Sequence, residues 1–126
     1  MGYRSEVVCV IYPYGDGGEL SQKYNLLTVL MKTTFKDIAD DFSSHMRWLD
    51  NDRIVEFHME SIKWYEDYDF VQRFEDMVDR FADGEFEGLV VEFMRVGEEE
   101  GDIENKMSNN CEYFLSTTTS IVRNYS

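Results

Sequence analysis

The spacing of hydrophobic residues along this chain changes several times, and each change marks an element. In residues 3–12, YRSEVVCVIY, the run Val7, Val8, Val10 and Ile11 is β-branched and nearly continuous. Such a run is buried on both faces, which predicts a central strand. Pro13 and the glycines of YGDGG close it. From Leu20 the spacing turns helical: Leu20, Tyr24, Leu27, Met31, Phe35, Ile38 and Phe42 recur at steps of three and four, one apolar stripe. The β-branched pair Thr33 and Thr34 interrupts it, and Thr34 with Asp37 resembles a capping signal. One bent helix and two consecutive helices both fit.

HMRWL, DND and RIVEFHMESIKWY then read as a hairpin. Val55, Phe57 and Met59 alternate with Glu56, His58 and Glu60, the pattern of a strand with one wet face. Asp67 or Asp69 is placed to cap the next helix, whose apolar face is Phe70, Val71, Phe74, Met77, Val78 and Phe81, and Gly84 stops it. Strands at 88–96 (GLVVEFMRV) and 113–125 (YFLSTTTSIVRNY) follow, joined by the acidic stretch GEEEGDIENK at 97–106. The order is β-α-β-β-α-β-β without an internal repeat. It predicts a single α+β domain over residues 1–126: a mainly antiparallel sheet of about five strands with two helices on one face.

Composition supports that architecture. A chain of 126 residues with 43% hydrophobic and 15% aromatic residues fills a core and is not disordered. The net charge of −14 changes the functional picture more, because it is uneven. Residues 1–36 hold three acids and four bases, so the remainder carries −15. Such a surface repels phosphate and attracts basic partners, which argues against direct DNA or RNA binding. Cys9 sits in an apolar strand and Cys111 precedes another; two thiols without a disulfide framework suit a reducing cytoplasm. No signal-peptide pattern or membrane-length apolar stretch appears, so the expectation is a soluble cytoplasmic protein with no membrane partner.

The candidate chemistry is sparse. Glu98, Glu99, Glu100, Asp102 and Glu104 crowd into one loop. Their spacing is not that of a calcium loop, since the adjacent Glu98–Glu100 side chains point apart. The loop is read as solvated or as a contact for a basic partner. Asp76, Asp79 and Asp83 lie at i, i+3 and i+7 on the second main helix. They form either an ordinary polar face relieved by Arg73 and Arg80, or a carboxylate row. Such a row would compete with DNA, which carries a charge about every 1.7 Å along its axis. His45 and His58 lack metal-ligand companions, YGDGGE matches no phosphate-loop pattern, and no serine-nucleophile elbow occurs. No catalytic residue, metal ligand or cofactor is expected. Trp48 and Trp64, both near the hairpin, are expected to form a partly exposed interface patch.

Three stretches, GYRSEV at 2–7, IKWY at 62–65 and FMRVGEEEGDIE at 93–104, together resemble a group of small acidic phage-encoded proteins without an assigned activity. These open with GYRS, an acid and Val, and lead a strand into an acidic G-E-x-x-x-D-I-E segment. The resemblance implies a product made in a bacterial host's cytoplasm and implies no catalytic residue. With the charge imbalance, the leading expectation is a non-enzymatic inhibitor that presents acids to the basic surface of a host protein or complex handling nucleic acid, of the anti-CRISPR or anti-restriction type. The alternative is an assembly role, as a homo-oligomer or accessory subunit.

Overall fold

The computed structural model describes residues 2–117 and 121–125. β1 (Ser5–Pro13) is followed by α1 (Gly17–Lys32), α2 (Lys36–Asp41), a single 3-10 turn (Ser43–His45), β2 (Met46–Leu49) and β3 (Ile54–Ile62). Then come α3 (Asp69–Ala82), β4 (Leu89–Gly97), β5 (Ile103–Met107), β6 (Leu115–Thr117) and β7 (Ile121–Arg123). The fold is α+β, built on a five-stranded antiparallel sheet in the order β2-β3-β1-β4-β5.

The apolar run of β1 occupies the centre, as its two buried faces require. Val10 faces Glu56 of β3 on one side and Glu92 of β4 on the other. Val7, Cys9 and Ile11 look toward the helices, where Leu27, Met31, Phe42, Phe57, Phe74, Phe81 and Phe93 form the main core. Phe74 sits within 5.0–6.2 Å, centroid to centroid, of Phe42, Phe57, Trp64 and Phe93. These tilted and edge-on pairs add to the area buried. Val8, Val10 and Tyr12 look the other way into a second core with Ile54, Val90, Met94, Leu115, Ile121 and Tyr125.

Of the two readings of the long helical stripe, the structure takes two helices: Thr33 Oγ1 donates to Val29 O at 2.7 Å and Phe35 N to Leu30 O at 2.8 Å, so the threonine hydroxyl takes a carbonyl at the helix end. α3 begins after Tyr68 without a side-chain cap, and Asp69 instead accepts from Arg73 Nε at 2.8 Å. Gly84 does end α3, at φ +83°.

The fifth strand is residues 103–107, not 113–125. Its sequence IENKM is too short and polar to announce itself. The expected last strand instead contributes a separate hairpin, β6–β7, while its residues 118–120 lie outside the described ones. That hairpin packs across the outer sheet face, so the expected wet face is dry at Glu56, which is 1% exposed, half-buried at His58, and wet as expected at Glu60. No helix among the described residues is long and apolar enough to cross a membrane.

Candidate functional site

β4 leaves the sheet at Gly97, and the chain turns back within a few residues to enter β5. Gly97 N donates to Asp102 O at 2.8 Å and Asp102 N to Glu99 O at 3.1 Å, with Gly101 at φ +82°. Glycine at 97 has a steric reason, because a Cβ there would collide with the Asp102 carboxylate and the Tyr3 ring. Tyr3 Oη donates to Asp102 Oδ2 at 2.6 Å and accepts Glu99 N–H at 2.9 Å. Arg95 grips Asp102 through Nη2 at 2.8 Å and Nη1 at 3.2 Å, and reaches Glu104, its cross-strand neighbour, through Nε at 3.2 Å. Arg95 and the Tyr3 hydroxyl hold the Asp102 carboxyl at about 2, well below the usual range.

Two of the five loop carboxylates, Asp102 and Glu104, are thus tied down by Arg95. Glu98 Oε1 accepts Arg4 N–H at 3.0 Å. Glu98, Glu99 and Glu100 are exposed, and no cation among the described residues pairs with them.

Beside the loop lies a cleft of about 700 Å³ lined by Tyr3, Trp64, Tyr65, Glu66, Asp67, Glu75, Arg95, Asp102 and Glu104. Glu75 of α3 accepts Trp64 Nε1 at 2.9 Å and Lys106 Nζ at 3.0 Å, and Lys106 also reaches Asp79 at 3.0 Å. Burial and the neighbouring Glu75 push the Glu104 carboxyl up, against the pull of Arg95. Lys106 is held above its ordinary value; burial opposes its charge, but Asp79 and Glu75 outweigh that.

One member of the helix row, Asp79, is therefore joined to the loop: it connects through Lys106 to Glu75, and the strip continues past Glu104 and Arg95 to Asp102 and Glu98–Glu100. No family model, curated protein or solved structure matches this chain.

Asp76 is exposed beside this strip, and Asp83 is exposed at the end of α3. Arg73 and Arg80 do not relieve that row: Arg73 pairs with Asp41 and Asp69, and Arg80 pairs with Glu85 over the rings of Phe35 and Phe86. The expected tryptophan patch does not form. Trp64 is in the core at 7% exposure, whereas Trp48 is 39% exposed on edge strand β2, opposite Val55 at the far end of β3. The bulk of Trp64 is satisfied by Phe42, Phe70, Phe74 and Phe93.

Glu75, Arg95, Lys106 and Tyr3 were not singled out from the sequence. Glu75 and Asp79 share a helix face at i, i+4, a readable signal, but their link to Lys106 depends on β5. Among the described residues no group of three or more His, Cys, Asp or Glu is placed to hold a metal ion.

Proposed function

We propose that this protein is a non-enzymatic acidic binding protein that blocks a cationic groove on a protein or complex handling nucleic acid. The observation that carries the reading is the joined strip of carboxylates, with Glu98, Glu99 and Glu100 exposed at one end and Asp76 near the other. Arg95, Lys106 and Tyr3 fix the strip's inner members in place, so its geometry is set before any partner arrives. A basic groove that normally neutralises phosphates would meet carboxylates instead, and attraction of this kind accelerates encounter and weakens with salt. In this proposal the target is a host machine of the CRISPR effector or restriction type and the protein is a phage product. The sequence resemblance supports that part.

The test is affinity capture from bacterial lysate at low and moderate salt, with the native chain and with a Glu98→Gln, Glu99→Gln, Glu100→Gln variant. These three positions are chosen because the Asp102 and Glu104 carboxylates hold the loop itself. One nucleic-acid-processing complex retained by the native chain, lost with the variant and released by salt is the expected result. Capture of the same complex by both baits, or salt-insensitive capture, would refute the reading.

A second reading, self-association, is favoured by one observation: Trp48 is exposed on edge strand β2, and Leu26 and Val29 are exposed on α1. An apolar interface of this kind predicts a dimer by light scattering that persists at high salt.

A further inference from the structure

The outer sheet face is closed by a segment that makes no ladder with it. β6 and β7 pair with each other in a sheet of their own, and side-chain acceptors tie them down. Glu92 of β4, fully buried, accepts Phe114 N–H at 3.1 Å, Leu115 N–H at 3.0 Å and the Tyr12 hydroxyl at 2.5 Å. Tyr12 Oη in turn accepts Glu112 N–H at 2.6 Å. Glu6 of β1 accepts Ile121 N–H at 3.0 Å. Glu56 of β3 accepts Arg123 Nη1 at 3.2 Å and the Tyr125 hydroxyl. The three central strands of the sheet thus each contribute one carboxylate.

The segment is also bonded internally. Asn124 N donates to Phe114 O at 2.8 Å, and the Phe114 and Tyr125 rings lie 5.8 Å apart. Its two ends therefore share one fate. Upstream, Ser108 is fixed to β4: its N–H donates to Val91 O and its Oγ accepts Val91 N–H, both at 3.0 Å. Asn109 and Asn110, exposed in a turn, separate that anchor from the segment. No residue of the segment takes part in the ladders of the five-stranded sheet or in the helical core on its other face.

We propose that residues 112–117 and 121–125 form one strap, latched by Glu6, Glu56 and Glu92, that opens as a unit while the five-stranded sheet and the helices stay folded. Opening bares Val8, Val10, Val90 and Met94 together with the three carboxylates that the strap had engaged. Carboxylate acceptors suit a latch, because an amide bonded to a charged acceptor is held firmly yet the acceptor remains well solvated when exposed.

The test is native-state hydrogen exchange of the full chain at neutral pH, read amide by amide by NMR. The amides of Phe114, Leu115 and Ile121 are expected to exchange at a common rate, at least about a hundredfold faster than those of Val8 and Val10 at the sheet centre. Glu92→Gln should accelerate all three together by about tenfold or more, with Val8 and Val10, which exchange through global unfolding, accelerated by no more than that factor and still far slower than the strap. Tyr125→Phe acts at the opposite end, on Glu56, and should speed Phe114 and Leu115 as well; it serves alone if the Glu92 variant does not fold. Strap amides as slow as those of Val8 and Val10 would overturn the proposal. So would a substitution that moves only the amides beside it.

Discussion

Replacing Glu56 by Gln isolates one buried charge and its donors. The carboxylate accepts Arg47 Nε at 2.7 Å and Nη2 at 3.0 Å, Arg123 Nη1 at 3.2 Å, and the Tyr125 hydroxyl. Burial alone would raise its pKa, but these donors and the two guanidinium charges bring it down to about 2. Against an unfolded value of about 4.3, and at 1.36 kcal/mol per pK unit, the ionised form stabilises the fold by roughly 3 kcal/mol. The folded pKa lies below the unfolded one. That contribution is therefore full above the unfolded pKa and is lost as pH falls toward 2.

Gln keeps the shape but turns an NH2 toward donors, so Glu56→Gln should lose about 3 kcal/mol at pH 7, or about 10 °C in Tm for a domain of this size. Urea denaturation followed by circular dichroism, run at pH 7, 4 and 2.5, is the assay. The gap between native and variant should shrink at the lowest pH. A gap that stays constant across the series would assign the loss to packing. One under about 1 kcal/mol at pH 7 would show that Arg47 and Arg123, which remain partly exposed, simply rehydrate.

Two further outcomes follow from the packing. Phe74→Ala removes a fully buried ring from the aromatic centre and should cost about 3–5 kcal/mol in chemical denaturation; a cost under about 1 kcal/mol would mean that the helix face is not the main core. Gly97→Ala drives a methyl group against Asp102 and Tyr3 and should cost about 1–3 kcal/mol while loosening the loop. An unchanged melting temperature would show that Tyr3 and the loop yield freely.

The elements with strong periodicity were legible. β1, β3, β4 and α3 follow directly from Val7–Ile11, the Val55–Met59 alternation, LVVEFMRV and the Phe70–Phe81 stripe. What failed to show was whatever depends on a covering layer. Glu56, His58 and Glu60 have the alternation of a wet face, and only the later β6–β7 segment buries Glu56 while Glu60 stays exposed. Trp64 looked like an interface residue because sequence does not reveal that four phenylalanines surround it. The acidic loop was obvious as composition. That Arg95 neutralises part of it follows from the β4–β5 register, which pairs Arg95 with Glu104, and IENKM gave too little pattern to set that register.

β1 comes first among the strands yet lies between β3 and β4. During synthesis its valines emerge before either neighbour exists, and the ladder is complete only once the chain has passed residue 97. Non-local pairing of this kind slows folding and leaves an apolar strand with two open edges in the interim. The nascent chain therefore has a period in which VVCVIY is its most association-prone segment. Shielding at that stage, rather than stability at the end, would set the yield of folded protein.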